Sequence, residues 1–232
     1  EYEAVIKLGS FTDTYDLTGK VIESKEVTSF NVEKLQEVLS SFLGEITQVP
    51  PIYSSIHIDG KKLYEYAREN IKVDVPERKV NIYDIKLLDY TSDTIKIYVK
   101  CSRGTYIRTL GVDIAKKLDN LGHLISLRRL SIGNVSVNDA NSFQSLKEGN
   151  VNVIEICKAL SFKNLHIKDE KILKRVYNGQ DLILKNEVDD HVIIIDDNKE
   201  VAIYEKIKEC VYHCIRGLYD EAYRFKRLKE LQ

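Results

Sequence analysis

The sequence predicts an α+β fold, a mixed or antiparallel sheet with helices, followed by a small β-rich unit. Apolar residues recur at helical spacing in three separated stretches, and short runs rich in β-branched residues lie between them. The resulting order, β-β-α-β-α-β-β-α-β and then mostly strands, is that of an α+β chain. The texture changes near residues 161–166, so the expected domains are 1–162 and 163–232.

Residues 2–8 read as a strand, 9–16 as a polar Thr/Asp turn and 21–27 as the return strand. Asn31 is placed to cap a helix whose stripe is Val32, Leu35, Val38, Leu39, Phe42 and Leu43, with Gly44 ending it. Pro50 and Pro51 break the chain before a short strand over 52–58. Asp59 and Gly60 then turn it into a second helix over 61–69, with Leu63, Tyr66 and Ala67 on one side. Residues 73–76 form a linker, and strands over 80–88 and 94–101 are joined by a turn at 91–93. Gly104 opens a third helix carrying Ile107, Leu110, Ile114 and Leu118, which ends near 120–122. Strands follow at 124–132 and 135–137, then short helical stretches at 142–148 and 153–160. Beyond the boundary lie a brief helix at 170–177 and short strands at 192–195, 201–204 and 211–215, with a hairpin turn at 196–198.

Composition narrows the class of molecule. No stretch approaches 18 uninterrupted apolar residues and no secretory signal is visible, so no membrane partner and a cytoplasmic address are expected. Four scattered cysteines do not make a disulfide framework. Cys210, His213 and Cys214 come nearest to a metal motif but lack a second half-site; buried strand cysteines are the favoured reading, and no metal is expected. Neither glycine-rich nucleotide cradle is present, so no nucleotide cofactor is expected. The net charge of −1 is not that of a typical nucleic-acid binder, yet residues 96–132 hold eight cations against Asp113 and Asp119. That local excess suits an RNA-facing patch or a solvated charged face. The sequence opens at Glu1 in mid-strand and contains no methionine.

The most informative run is residues 101–113, where a strand hands over to a helix. Gly104 permits a tight junction, and helix N-terminal N–H groups favour anions. Tyr106 and Arg108 fall in the first turn, where an arginine opposes the helix dipole and calls for a carboxylate or phosphate. A surface arginine beside a half-buried tyrosine accounts for the same spacing.

Five collinear stretches resemble the TruB-type pseudouridine synthases. They are residues 1–9 with Thr12, Asp13, Thr14 and Asp16; the run 48–54; the run 60–68; the run 101–108; and Gly122 and His123 with residues 127–130. The match covers roughly residues 1–160, and the remainder resembles the PUA-like tail of this family. The resemblance implies conversion of one uridine in the tRNA T-loop, position 55, to pseudouridine, with no cofactor or metal and with the target base flipped out of its stack. A monomer is expected.

Carried over residue by residue, the resemblance makes Tyr2 the ring against which uracil stacks and Arg108 the partner of a nucleophilic carboxylate. Tyr106 and Leu127 would shape the pocket, with Asp16 at its edge. His123, Arg128 and Arg129 would approach the RNA backbone. Plain core at Leu127, a capping or core role for His123 and an Asx turn at Asp16 are the structural alternatives. Lys61 and Lys62, interleaved with Tyr64 and Tyr66, suit an RNA clamp or a solvated amphipathic helix. In the family the nucleophilic aspartate lies in a Gly-Thr-Leu-Asp-Pro-like motif upstream of the position matching Tyr2, and no such motif is present. The expectations are that Arg108 lacks its partner, that the nucleophile lies upstream of this chain, and that the 232 residues alone are inactive. The competing expectation is a non-catalytic RNA-binding module that keeps the pocket without the acid.

Overall fold

The computed structural model describes residues 1–69 and 71–231. They divide into two units, Glu1–Ile132 and Gly133–Gln232. This division precedes the boundary near 161–166 that the sequence suggests, because the short helical pieces before residue 160 group with the strands after it.

The first unit comprises β1 (Tyr2–Leu8), β2 (Ser10–Thr12), β3 (Val21–Ser24), α1 (Val32–Ser40), β4 (Gly44–Gln48), β5 (His57–Ile58), β6 (Lys61–Lys62), α2 (Leu63–Arg68), β7 (Arg78–Tyr90), β8 (Thr94–Cys101), α3 (Ile107–Lys117), β9 (Gly122–Arg129) and β10 (Ser131–Ile132). Its main sheet runs β4-β7-β8-β1-β9, and all four pairings are antiparallel. Along β1, Ala4, Ile6 and Leu8 are buried while the residues between them are half-exposed, the period-2 signature of a sheet with one covered face. The cover is α1 and α3. Asn31 caps α1 by accepting from the Lys34 N–H at 2.9 Å, and Leu35, Val38, Leu39 and Phe42 enter the core beside Leu110 and Ile114 of α3.

Helix α3 starts later than the sequence suggests: Gly104 sits in the turn before it, and Tyr106 is the N-cap residue. The helix lies close against β1 and β9. Gly111 packs on Ile6 and Leu124, and a side chain at Gly122 would collide with Ala115. The helix therefore runs alongside β1 in the same direction, its last turns toward Leu8 and its first turn toward Tyr2. The predicted second helix also begins late, and Lys61 and Lys62 stand in the small hairpin β5-β6.

The second unit contains β11 (Val135–Ser136), α4 (Phe143–Lys147), α5 (Ile156–Ala159), β12 (Lys163–His166), α6 (Glu170–Tyr177), β13 (Leu182–Ile183), β14 (His191–Asp196), β15 (Lys199–Lys208), β16 (Val211–Gly217) and α7 (Glu221–Glu230). Its sheet runs β12-β14-β15-β16-β13. Asp197 and Asn198 both take positive φ in the β14-β15 turn, as a two-residue hairpin requires. Cys210 also lies in a turn with positive φ rather than in a strand, and all four thiols are only half-buried. Helix α7 is absent from the sequence-level expectation. Its apolar stripe is sparse, with Tyr223 and Leu228 packing on the core of this unit, and polar anchors add to it: Arg227 pairs with Asp196 through two bonds of 2.9 and 2.7 Å, and Arg224 donates to the Tyr177 carbonyl.

Candidate active site

Tyr2 opens β1 and shares its register with Arg129, as Ala4 does with Leu127. Partners across an antiparallel pair project from the same face. Tyr2, Leu127 and Arg129 thus stand on the face that carries α3, at the end where the helix begins. The Arg129 guanidinium lies 5.5 Å from the centre of the Tyr2 ring, and its Nε donates to the Tyr2 hydroxyl at 3.3 Å. Leu127 projects from the core side of the sheet yet is 47% exposed. The core face runs out of cover there and leaves an open apolar shelf.

Arg108, in the first turn of α3, is held from two directions. Its Nη1 donates to the Thr14 carbonyl at 2.8 Å and to Asp16 Oδ2 at 3.3 Å, while Nη2 donates to the Tyr53 carbonyl at 2.8 Å. The carboxylate that reaches Arg108 is Asp16, which the sequence reading placed at the edge of the pocket and not as the nucleophile. The polar turn in which Asp16 lies aims its carboxylate. Asp16 Oδ1 accepts from the Thr14 hydroxyl, the Thr18 N–H and the Thr18 hydroxyl at 2.8, 3.0 and 2.6 Å. Its backbone bridges Leu124 of β9, and a side chain at Gly19 would strike Thr14 and Asp13. Partial burial pushes the Asp16 carboxyl up, but the Thr18 and Thr14 hydrogen bonds and the Arg108 charge outweigh it and hold its pKa below the usual value. These bonds are those of an Asx turn, the structural alternative for this residue.

Tyr106 is positioned through its backbone. The buried Gln48 side chain accepts from its N–H at 3.1 Å and donates to its carbonyl at 3.4 Å. His123 takes the core alternative in place of an RNA-facing one: it is 5% exposed, and its Nδ1 lies 3.0 Å from the Ser10 carbonyl, which ties β9 to β2. Arg128 and Arg129 are exposed. Lys61 and Lys62 lie in the β5-β6 arm, where Lys61 pairs with Glu69 and lies 5.2 Å from the Tyr66 ring. Lys62 lies 5.7 Å from the Tyr64 ring. The sequence reading assigned no role to Gln48, Thr14, Thr18 or Tyr53. All four fall inside or beside stretches it had singled out, but the work of three of them involves backbone atoms, which side-chain chemistry does not signal.

Comparison with known proteins bears on these residues. Residues 1–107 match the family model described as TruB family pseudouridylate synthase, N-terminal domain. A protein named tRNA pseudouridine synthase B from Caldanaerobacter subterraneus subsp. tengcongensis is 40% identical over 203 residues, covering 87% of this chain and 71% of that one. The protein of the same name from Staphylococcus aureus (strain Newman) is 41% identical over 223 residues, covering 88% of this chain and 73% of its own. The chain belongs to the TruB family.

Solved structures agree at the level of fold. A Cbf5–Nop10–Gar1 complex contains a chain that superposes with a TM-score of 0.63 at 19% identity, covering 96% of this TruB-family chain and 67% of the other. A structure of an H/ACA RNP bound to a substrate RNA containing 2′-deoxyuridine gives 0.61 at 18% identity. Neither of two sizeable cavities is lined by residues of the Arg108 cluster. One of about 590 Å3 is lined by Asn31, Lys34 and Lys117, and one of about 470 Å3 by Cys157, His166 and Glu200. Parts of four of the TruB-like stretches meet where α3 begins: Tyr2 with Thr14 and Asp16, Gln48 with Tyr53, Tyr106 with Arg108, and Leu127 with Arg129. Among the described residues no helix is long and apolar enough to cross a membrane, and no group of three or more His, Cys, Asp or Glu side chains is placed to hold a metal ion.

Proposed function

We propose that this chain takes part in the conversion of a tRNA uridine to pseudouridine, at position 55 of the T-loop, acting as a monomer in the cytoplasm. Family membership supports the reaction class. The observation that carries the residue roles is the anchoring of Arg108. Its bonds to Thr14, Asp16 and Tyr53 occupy Nη1 and one hydrogen of Nη2, leaving Nε–H and the second Nη2–H without an assigned acceptor among the described residues. That edge of a guanidinium matches a carboxylate in two parallel bonds.

The flipped uridine stacks on Tyr2, with Leu127 and Tyr106 bounding the shelf and Arg128 and Arg129 facing the RNA backbone. Flipping costs a few kcal/mol, and stacking on an aromatic ring returns about 1–3 kcal/mol. A nucleophilic aspartate, kept ionised by the free edge of Arg108, attacks the nucleotide. The bond from uracil N1 to ribose C1′ breaks, the uracil turns, and C5 joins C1′. The C5 proton leaves as N1 gains one, so the net change is isomerisation. Asp16 is not that nucleophile in this reading, because both its oxygens are engaged; it is the residue that positions Arg108. Residues 1–162 serve as the catalytic domain and 163–232 as a PUA-like RNA-binding domain, with Lys61 and Lys62 contacting the T-arm.

The test is tritium release from T-arm RNA labelled at uridine C5. A full-length TruB-family protein carrying this sequence is expected to release tritium, and Arg108→Ala in it to cut turnover far more than RNA affinity. Equal losses would reduce Arg108 to a phosphate contact. The full engagement of Asp16 favours a second reading for the 232 residues alone, RNA binding without turnover. In the same assay that reading gives binding with no release.

A further inference from the structure

Residues 48–54 are strapped to the start of α3. Gln48 bonds the Tyr106 backbone in both directions, the Thr109 hydroxyl donates to the Val49 carbonyl at 3.3 Å, and Arg108 Nη2 donates to the Tyr53 carbonyl. The strap continues into the β5-β6 arm, since the Ser54 carbonyl accepts from the Tyr64 N–H at 3.1 Å. Against this background one group is left over. Among the described residues, Ser54 Oγ is the only buried side-chain nitrogen or oxygen without a hydrogen-bond partner. The residue is 6% exposed.

An unsatisfied buried hydroxyl costs stability that an alanine at the same place would not. Its position is informative: it belongs to the residue that follows Tyr53, whose carbonyl fixes Arg108. A serine hydroxyl swings between staggered positions by a single χ1 rotation, with no backbone movement. It both donates and accepts, and it carries no charge that would conflict with Arg108. We propose that Ser54 is an RNA-contacting residue whose hydroxyl takes its missing partner from the ribose–phosphate of the nucleotide bound at Tyr2 and Arg108. The inference rests on the function proposed above and adds a contact to it.

The experiment pairs thermal unfolding with fluorescence-anisotropy titration of a labelled T-arm stem–loop RNA, for the wild-type chain, Ser54→Ala and Ser54→Thr. Ser54→Ala is expected to melt at or above the wild-type temperature and to bind the RNA about three- to tenfold more weakly. The salt dependence of its binding should match wild type, because no charge is lost. Ser54→Thr keeps the hydroxyl and should bind within about twofold of wild type. Wild-type affinity in Ser54→Ala overturns the proposal, as does a lower melting temperature, which would give the hydroxyl a structural partner. Loss in a folded Ser54→Thr as large as in Ser54→Ala also counts against it. Failure of the wild-type chain to bind the RNA at low salt removes the functional reading, and this contact with it. Binding that ignores Ser54 removes the contact alone.

Discussion

Nη1 of Arg108 and Oδ2 of Asp16 lie 3.3 Å apart across 92 residues of sequence. Both side chains are partly shielded, at 21% and 28% exposed. The pair joins the first turn of α3 to the polar turn after β2, so it sets the direction of the guanidinium as well as its charge environment.

Asp16→Asn removes the charge and keeps the shape. In a full-length protein it should reduce tritium release about 5- to 30-fold, as expected for losing one charge-assisted hydrogen bond of roughly 1–2 kcal/mol. RNA affinity should change by less than about twofold, because Asp16 faces Arg108 rather than solvent. A parallel fall in affinity and turnover would show that Asp16 shapes the RNA surface instead.

The same pair predicts a pH dependence. The Asp16 carboxyl is held below its ordinary value of 3.8. Its folded pKa is therefore lower than its unfolded one, and the stabilisation is complete above the unfolded value and lost as pH falls through the folded one. Urea unfolding at about pH 7 and about pH 3 should show the wild-type advantage over Asp16→Asn shrinking at the lower pH. A constant difference would mean that the carboxylate contributes nothing through its charge.

Gln48→Ala deletes both bonds to the Tyr106 backbone from a side chain only 2% exposed. The Tyr106 N–H loses its acceptor while its carbonyl keeps the Leu110 N–H, and the change should cost about 1–3 kcal/mol in urea unfolding. A loss under about 0.5 kcal/mol would show that solvent replaces the side chain.

Leu127→Ala tests whether the shelf is functional. A side chain nearly half exposed should cost little stability, under about 1 kcal/mol. Turnover by the full-length protein should fall at least tenfold while the melting temperature stays near wild type. Unchanged turnover would return Leu127 to ordinary surface.

In the second unit, Arg227→Ala leaves Asp196, which is 3% exposed, with only the Tyr177 hydroxyl as its side-chain partner. Removing one member of a buried ion pair costs about 3–5 kcal/mol. Backbone amides of α7 should then exchange with deuterium much faster than in wild type. Unaltered protection would show that apolar contacts alone hold the helix.

What the sequence revealed follows from the kind of force involved. The β1 strand, the α1 stripe and the 94–101 strand were legible because burial imposes a period on apolar residues. Helix α7 was not, since its apolar contacts are few and the Arg227 and Arg224 anchors beside them carry no period. Roles for Tyr2 and Arg108 came from the family resemblance, which did not extend to the neighbours that hold them. His123 reads equally well as an RNA contact or a core group until its Ser10 partner is located. The Arg108–Asp16 pair depends on a turn whose geometry is set by Thr14, Thr18 and Gly19 together.

The close contact between Ala115 and Gly122 carries a mechanical consequence. It fixes α3 near its C-terminal end, while Arg108 stands seven residues earlier, about 10 Å along the axis at 1.5 Å per residue. The helix is in effect a lever with its fulcrum on β9. A bulkier residue at 115 or 122 that tilted it by only ~6° would carry the Arg108 backbone through about 1 Å, a misplacement on the order of those that cost enzymes a hundredfold in rate. Alignment at the shelf is thus set by two of the smallest residues in the unit, well away from any group that would touch RNA.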